Sequence, residues 1–460
     1  MKILETIANV FRIPDLRRRI LFTLAMLAVY RIGGHIPTPG VDTEQLQELF
    51  DQAAGTALGF MDLFSGGQLS QLTIFALGIM PYITASIILQ LLTIVIPTLE
   101  KLQKEGELGR RKITQWTRYL TIGLAIVQSS AIASMLQAQG LSEPGFSFVL
   151  MTILTLTTGT AFIMWLGEQI TERGIGNGMS LIIFAGIVVG LPGAIQNLYD
   201  NVFVTRQWSM LQLVMILVFM VAVVAFIVLV ERGERRIPVQ YARRVVGRRM
   251  MGGQQTHLPL KVNSGGVIPV IFASSMLAFP QTLALMFPNS ELLQNILAPI
   301  TYGEPLYEAL YVFLIVFFCF FYVSIIFNPT EVADNMRKYG GFVPGIRSGK
   351  PTAEHINQIL TKITMVGGLY LATISVIPDF MIAGVRIHHL PLIGDWADQV
   401  VPRWILEGLN VNFFFGGTAL LIVVGVAMDT VNQIEAQLVM RHYEGFTPKS
   451  GRIRGRRSFA

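Results

Sequence analysis

The sequence is poor in charge and in cysteine. Only 14% of its 460 residues are Asp, Glu, Lys or Arg, whereas 52% are hydrophobic, and soluble domains carry about 25% charged residues. This balance excludes a large soluble core and predicts a polytopic membrane protein. The single cysteine, Cys319, lies in an apolar run, so the chain has no disulfide framework and no cysteine-based metal site. We expect Cys319 to be a small buried hydrophobic residue.

Ionisable residues are also missing from the middle of the apolar segments. Glu168, Asp379 and Asp429 sit at segment ends, whereas ion-coupled transporters need charged ligands at mid-membrane depth. No phosphate-binding loop is present, because residues 345–352 (GIRSGKPT) lack the required first glycine and residues 174–180 (GIGNGMS) do not follow a strand. No nucleophile and base pair stands out. We therefore expect no catalytic activity, no metal and no cofactor.

Ten apolar segments approach the length of about 20 residues that a membrane-spanning helix needs. They cover residues 20–36, 72–96, 119–136, 148–167, 179–195, 211–230, 267–287, 306–327, 363–377 and 413–428. Nearly all of the 35 Lys and Arg residues fall in the two tails and in the loops after segments 2, 4, 6 and 8; the exceptions are Arg31, Arg206, Arg386 and Arg403. The positive-inside rule then places both termini in the cytoplasm. The pattern predicts an all-α polytopic membrane protein with ten transmembrane helices.

Two segments share a nine-residue pattern. Residues 78–86 (GIMPYITAS) and 266–274 (GVIPVIFAS) have Gly, Pro, Ile, Ala and Ser at matching positions. They lie in the second segment of each group of five, and those segments cross the membrane in opposite directions. This relation is typical of inverted repeats with a functional path between the halves. It predicts two pseudo-symmetric halves, residues 1–195 and 196–430, and a basic cytoplasmic tail, residues 431–460.

Two long cytoplasmic loops, residues 231–265 and 329–362, are basic. The first contains the run RRIPVQYARRVVGRRM at residues 235–250, which suits RNA phosphates or an acidic protein surface. A solvated face beside anionic lipid is the simpler alternative. We expect the loops to dock a large cytoplasmic partner.

Six stretches make the chain similar to a known family. They are FSGG with IFALGIMPYITASIILQLL in residues 64–92, EGELGRRKITQWTRY at 105–119, MWLGEQITERGIGNGMSLIIFAGI at 164–187, THLPLKVNSGGVIPVIFASS at 256–275, FNPTEVADNMRKYGGFVPGIRSGK at 327–350 and FFGGTALLIVV at 414–424. Over nearly its whole length the chain resembles the SecY family, the central subunits of the bacterial protein-conducting channel. The resemblance implies a channel through which unfolded secretory chains cross the membrane and membrane-protein helices leave sideways into lipid.

The resemblance also assigns the parts of a pore. The short apolar piece within residues 56–71 resembles the family's plug, with apolar residues Phe60, Leu63 and Phe64 and hinge glycines Gly66 and Gly67. The alternative is a re-entrant packing element that does not move. The family's aliphatic pore ring falls here on Ile79, Ile83, Met179, Ile183, Ile271 and Ile422. Met179 stands where an aliphatic residue is more usual. Such a ring dewets a narrow gap and blocks ions, yet gives way around a peptide.

A lateral gate and a docking surface are implied in the same way. Segments 2 and 7 correspond to the gate, which small and polar residues are expected to close: Ala85, Ser86, Ala273, Ser274 and Ser275. The basic loops resemble those that dock the ribosome or the SecA motor ATPase. Their expected contact residues are Arg243, Arg244, Arg248, Arg249 and Arg347.

The implied setting is the bacterial plasma (inner) membrane. Expected partners are SecE, SecG, SecA, the ribosome and signal-sequence-bearing precursor proteins, with SecDF, YidC and membrane lipids as further partners. Two other classes compete with the channel, namely an inverted-repeat secondary solute transporter and a membrane-integral enzyme. The missing mid-membrane charges disfavour the first, and the missing catalytic set disfavours the second. The basic end of the tail could meet either lipid or ribosome.

Overall fold

The computed structural model of the chain describes residues 13–41, 45–47, 50, 62, 65–142, 145–204, 210–241, 244–246, 249–251, 255–284, 297–300, 304–383 and 417–444. Helices dominate because the apolar runs are long and a helix satisfies its backbone hydrogen bonds internally. The helices are α1 (Pro14–Gly33), α2 (Met80–Val95), α3 (Pro97–Lys104), α4 (Glu107–Ala138), α5 (Phe146–Arg173), α6 (Gly178–Val189), α7 (Leu191–Tyr199), α8 (Met210–Glu231), α9 (Ile268–Ala284), α10 (Pro305–Ile326), α11 (Pro329–Lys338), α12 (Lys350–Ala383) and α13 (Gly417–Glu444). The strands are β1 (Glu234–Tyr241), β2 (Arg244–Val246), β3 (Arg249–Met251), β4 (Gln255–Lys261) and β5 (Gly341–Phe342).

Several of these helices can cross a membrane. Within the described residues, 6 helical stretches are long and apolar enough: Glu107–Ala138, Phe146–Arg173, Leu213–Glu231, Pro305–Lys338, Lys350–Ile377 and Thr418–Leu438. The count rises to 7 if the pair Met80–Val95 and Pro97–Gln103, bent by 106°, forms one span. Two shorter apolar helices cover Gly178–Gly193 and Ile268–Pro280. The chain is thus a multi-pass helical membrane protein, and each of the ten predicted segments overlaps a helix.

The predicted start of the second segment is wrong. Helix α2 begins at Met80 and not at residue 72. Leu72 and Gly78 have φ angles of 38° and 55°, and a right-handed helix cannot pass through such left-handed residues. Pro81 then fits the first helical turn, where its missing N–H has no helical partner to lose. Residues 65–79 instead form a series of turns, with a short helical start and one β-bridge.

Two other predicted segments differ at their ends. Segment nine, residues 363–377, belongs to α12, a helix of 34 residues that already begins at Lys350 in the predicted cytoplasmic loop. Segment five, residues 179–195, is divided at Gly190 into α6 and α7. Pro192 lies at the start of α7 and cannot donate to the hydrogen-bond ladder of α6. Hydropathy therefore located both segments but did not fix their helix boundaries.

The two predicted halves meet along two seams. Helices α2 and α4 of the first half contact α9 of the second, and α6 contacts α13. One hydrophobic cluster runs through both halves and includes residues of α1, α2, α5, α6, α8, α9, α10, α12 and α13. Cys319 belongs to this cluster and is 2% exposed, which confirms its expected role as a buried apolar residue.

The two basic loops share one small antiparallel sheet. Strand β1 pairs with β4 along its length and with β5 through Gln240 and Tyr241. Strands β1 and β4 come from the first loop, whereas β5 comes from the second. A separate hydrophobic cluster that includes Ile237, Val343 and Ile356 joins this sheet to α11 and α12. We call β1, β4, β5, α11 and the first three turns of α12 the loop platform, because the two loops form one body.

Candidate functional site

The two repeat segments adopt the same conformation at the start of α2 and α9. Gly78 and Gly266 have φ angles of 55° and 60°, and each helix begins two residues later with proline at its second position. Ile83 and Ile271 close the first turn of their helices by donating a backbone N–H to the carbonyl four residues earlier. The repeat seen in the sequence therefore extends to the backbone, and it gives Ile83 and Ile271 equivalent positions.

All six predicted ring residues lie in or against the hydrophobic cluster that joins the halves. Helix α2 carries Ile83 and is preceded by Ile79, α6 carries Met179 and Ile183, α9 carries Ile271, and α13 carries Ile422. The five isoleucines are at most 6% exposed. Because α2 contacts α9 and α6 contacts α13, each seam has ring residues on both sides. An apolar junction of this kind can exclude water and ions from a narrow gap.

Met179 differs from the five isoleucines. Its backbone N–H donates to the side chain of Asn177, the N-cap of α6, at 3.1 Å, so the residue starts the helix. Its sulfur packs directly on Gly167 of α5, where a Cβ would clash with it. The side chain is only partly buried against the main cluster. The structure thus turns the Met179 sulfur toward α5, and its membership of a pore ring stays a prediction.

The predicted gate residues lie on α2 and α9, the two helices that meet at the first seam. Ala85 and Ala273 are 0% exposed, and Ser274 and Ser275 are at most 2% exposed. Both serine hydroxyls donate to the carbonyl of Ile271 within their own helix. The Ser275 hydroxyl also contacts the Met80 sulfur across the seam at 3.9 Å.

The remaining predicted gate residue, Ser86, is only partly buried. Its hydroxyl accepts from Gln90 within α2 at 3.2 Å. Small residues and serines favour close packing of membrane helices, and across this seam the described contact joins Ser275 to Met80.

A clasp of hydrogen bonds forms at the end of the predicted plug. Oδ1 of Asp62 accepts the backbone N–H groups of Leu69 and Ser70, both at 2.9 Å, and the Ser65 hydroxyl at 3.2 Å. Tyr30 of α1 donates its hydroxyl to the Ser65 carbonyl at 3.4 Å. The clasp, residues 62 and 65–70, thus fixes the C-terminal part of the predicted plug segment, next to the turns that lead to α2. Sequence reasoning missed Asp62, although a carboxylate beside small polar residues is a known turn-forming signal.

The predicted hinge glycines behave differently from each other. Gly66 and Gly67 have φ angles of 75° and 76°, which other residues rarely adopt. A Cβ added to Gly66 would lie 2.7 Å from the carbonyl oxygen of Gly186 on α6, whereas one on Gly67 would meet nothing within 4 Å. Gly66 is therefore a close packing point as well as a turn. The predicted plug residues Phe60, Leu63 and Phe64 lie outside the described residues.

The predicted docking arginines occupy two places. Arg347 is exposed in the turn between β5 and α12, where its carbonyl accepts the Thr352 hydroxyl at 2.9 Å. Arg244 and Arg249 lie on the paired strands β2 and β3. Arg243 and Arg248 lie outside the described residues. The structure therefore presents Arg347 at the surface of the loop platform.

A polar cavity of about 240 Å³ lies next to the ring. Val267 and Val426 line it, and each is four residues, about one helical turn, before Ile271 or after Ile422. The charged and polar lining residues include Glu231, Lys261, Asn263, Tyr322, Asp429 and Gln433. We call this space the entrance cavity, and Lys261 of β4 in the loop platform forms part of its lining. Sequence analysis placed Asp429 at a segment end but did not connect it with Glu231 or Lys261, which are distant in the chain.

The fold and the arrangement of these residues define a class of membrane protein. The chain is a multi-pass helical membrane protein in which two sets of helices meet at an apolar junction below a polar cavity. Among the residues described, no group of three or more His, Cys, Asp or Glu could hold a metal ion. This architecture is shared by helical membrane channels and carriers.

Sequence comparison identifies the family. A family model described as SecY matches residues 73–431. The chain is 48% identical over 457 residues to the protein translocase subunit SecY of Streptomyces griseus, covering 95% of this chain and 98% of that protein. It is 49% identical over 446 residues to the protein translocase subunit SecY of Escherichia coli K12, covering 95% of each. The chain belongs to the SecY family.

Solved structures share its fold. "The structure of a protein conducting channel" matches with a TM-score of 0.62 at 18% identity and covers 96% of this chain and 99% of that chain. Sec61 in the canine ribosome-channel complex from the endoplasmic reticulum matches with a TM-score of 0.59 at 17% identity, with the same coverage. These likenesses confirm the predicted helical fold.

Proposed function

We propose that this chain is the pore-forming subunit of a protein translocase. Unfolded secretory proteins would cross the membrane through it, and helices of membrane proteins would leave it sideways into lipid. The observation that carries the proposal is the apolar junction, where five buried isoleucines from both halves line the two seams. The relatives named as protein translocase subunits, at 48% and 49% identity, support it.

The ring would seal the resting channel by apolarity. Isoleucine side chains in a narrow gap offer no replacement for the hydration shell of an ion, so the gap stays dry. The same side chains can change rotamer around an extended peptide, which needs no fixed ligand. A motor or a ribosome would supply the driving force. The buried positions of Ile83 and Ile271 on opposite sides of the α2–α9 seam support this reading.

Lateral exit would use the α2–α9 seam. Apolar helix surfaces gain little by leaving lipid for each other, so close packing of small residues has to hold such a seam together. Ala85 of α2 and Ala273 of α9 are fully buried, and the Ser275–Met80 contact across the seam is weak. A hydrophobic signal helix could replace these contacts at low energetic cost. The segment 56–71 would act as the plug on the outer side, anchored at the Asp62 clasp.

The loop platform would dock the partners that drive transport. Its sheet and hydrophobic cluster join the two loops into one base. Arg347 is exposed on this base, and the loop that carries it, residues 329–362, has more Lys and Arg than Asp and Glu. We propose SecA and the ribosome as alternating partners there and SecE and SecG as membrane partners. The distribution of Lys and Arg supports a bacterial inner-membrane orientation with both termini in the cytoplasm.

Site-specific photo-crosslinking tests the proposed path. A photoreactive residue replaces Ile271 in membranes that hold a stalled, half-exported precursor. The matched control carries the same residue at Val366 on α12, which is 59% exposed and expected to face lipid. We expect Ile271 to form adducts with the mature part of the precursor, dependent on its signal sequence and on a motor or ribosome, and Val366 to form none.

The opposite result has a clear meaning. If the probe at Ile271 forms adducts only with lipid or with neighbouring helices, Ile271 is a packing residue and the path lies elsewhere. Equal precursor adducts from Ile271 and Val366 would show that the probe does not distinguish the proposed path from the lipid-facing surface.

A further inference from the structure

The entrance cavity has a feature that sealing and gating do not use. We infer that it is a binding site for a cationic peptide segment, namely the basic N-terminal part of a signal sequence, while the apolar part of that signal occupies the α2–α9 seam. The inference rests on the proposed function and adds a subsite to it.

The cavity is acidic in a basic protein. The chain has a formal net charge of +6, yet two carboxylates, Glu231 and Asp429, face a single ammonium group, Lys261, around this space. Nζ of Lys261 lies 3.9 Å from Oδ1 of Asp429, a long separation with both side chains more than half exposed. A loose pair of this kind is weak, so a competing cation can displace Lys261 and meet a net negative charge.

Asn263 holds one of these carboxylates in place. Its amide nitrogen donates to Glu231 at 2.6 Å and to the Gly266 carbonyl at 3.1 Å. Asn263 lines the cavity, is only 3% exposed, and its Oδ1 has no hydrogen-bond partner within the described part of the chain. A buried acceptor without a partner is costly. The Oδ1 atom of Asn263 can therefore accept a hydrogen bond from a bound ligand. Ammonium and guanidinium groups carry three and five N–H donors.

Position connects the cavity to the gate. Val267 and Ile268, at the start of the gate helix α9, form part of its wall. A signal sequence has a positively charged segment followed by an apolar core of about 7–15 residues. If the apolar core of the signal lies along α9, the basic residues that precede this core reach the first turn of α9, which lines the cavity. Long Lys and Arg side chains can extend their charged ends into it.

The first experiment changes the precursor and leaves the channel's charges intact. A photoreactive residue replaces Thr430, which lines the cavity between Val426 and Gln433. Stalled precursors carry either a basic N-terminal segment or the same segment with its Lys and Arg residues replaced by Gln. We expect the basic segment to give roughly fivefold more adducts at low salt, as two partly exposed ion pairs would provide, and the excess to disappear at high salt.

The second experiment changes the channel. The double variant Glu231→Gln with Asp429→Asn is compared with Glu435→Gln, which removes a carboxylate from α13 outside the cavity. We expect the double variant to lose the excess adducts of the basic precursor, whereas Glu435→Gln keeps them. A probe at Ile271 in the same membranes reports whether the precursor has entered the pore.

The outcomes separate the two proposals. Equal adducts at Thr430 from basic and neutral segments, with normal adducts at Ile271, would overturn the cation site and leave the channel in place. An absence of precursor adducts at both positions would overturn the channel proposal itself. Because the precursor comparison uses the native charges of the cavity, its result does not depend on how the double variant folds.

Discussion

The two copies of the repeat start their helices alike but are reached by different routes. Before α2 the chain passes through the Asp62 clasp and a series of turns, and one of these turns places Leu72 at a φ of 38°. Before α9 it passes from β4 through Asn263 within a few residues. A polar side chain organises each approach: the partly buried Asp62 accepts backbone N–H groups, whereas the buried Asn263 donates to Glu231 and Gly266.

The difference shows how one helix start can serve two purposes. The helix turn with its left-handed glycine and proline is the shared part, and it gives Ile83 and Ile271 equivalent positions. The segments that lead into the two helices differ in length and structure. In the first copy the approach connects to the predicted plug, and in the second it connects to the loop platform and the entrance cavity.

The largest expected effect comes from tying the two copies together. Met80→Cys and Ser275→Cys, in a chain with Cys319→Ala, place thiols where a sulfur and a hydroxyl already lie 3.9 Å apart. Joining them with a short, reducible thiol crosslinker should abolish precursor export, because the α2–α9 seam can no longer open. Export is measured into inverted membrane vesicles before and after reduction, which should restore it.

The single-cysteine variants are the controls, and they should export normally after the same treatment. Undiminished export by a quantitatively crosslinked double variant would show that this seam is a packing contact and not the gate.

Sequence reasoning located these helices better than it located what precedes them. Apolar runs and the Gly–Pro pattern identified α2 and α9 and their equivalence. The pattern could not show that α2 starts only at Met80. Residues 72–79 are as apolar as those of a membrane-spanning helix, and their turns depend on tertiary contacts. The sequence also gave no sign that the loops 231–265 and 329–362 join in one sheet, since strand pairing between β1 and β5 is a long-range contact that local patterns do not carry.

The candidate site divides in the same way. The family resemblance proposes the ring isoleucines because each lies inside a matching motif, and the structure shows that all five are buried in one cluster. Asp62 and the Glu231, Lys261 and Asp429 group were not, since their partners are brought close by the fold and not by spacing. A family resemblance assigns roles to positions within matching motifs, whereas hydrogen bonds and cavities between distant residues become visible only in the structure.

The second prediction breaks the first copy's approach. Asp62→Ala removes the acceptor of two backbone N–H groups, that of the buried Leu69 and that of the partly buried Ser70, and an unsatisfied group costs about 1–3 kcal/mol. We expect the free energy of unfolding to fall by about 4 kcal/mol and the resting ion conductance in planar bilayers to rise. Asp62→Asn keeps an oxygen at the same place and should cost about 1 kcal/mol.

Thermal unfolding in detergent and single-channel recording measure these two effects. Equal losses for Asp62→Ala and Asp62→Asn would show that charge, and not the acceptor geometry, organises the clasp.

The third prediction compares the two glycines of the clasp. Gly66→Ala and Gly67→Ala both place a side chain at a left-handed φ, which costs about 1–2 kcal/mol. Only at Gly66 does the new Cβ also meet a backbone oxygen, that of Gly186, at 2.7 Å. We expect Gly66→Ala to lose about 3 kcal/mol in total through added overpacking and to leak ions, while Gly67→Ala loses the smaller amount and seals. Equal losses of stability in thermal unfolding would argue against the packing on α6.

The smallest expected effect tests the equivalence itself. Gly78→Ala and Gly266→Ala each force alanine into the left-handed region at φ of 55° and 60°. A Cβ at Gly78 meets only ordinary contacts with Ser65 at 3.8 Å or more, and one at Gly266 meets nothing within 4 Å. Both variants should therefore lose only the conformational term of about 1–2 kcal/mol, and by nearly the same amount. Thermal unfolding of the two variants in parallel measures this. A much larger loss of stability for Gly78→Ala would mean that the start of α2 depends on the segment before it. The two helix starts would then have the same backbone conformation but contribute differently to stability.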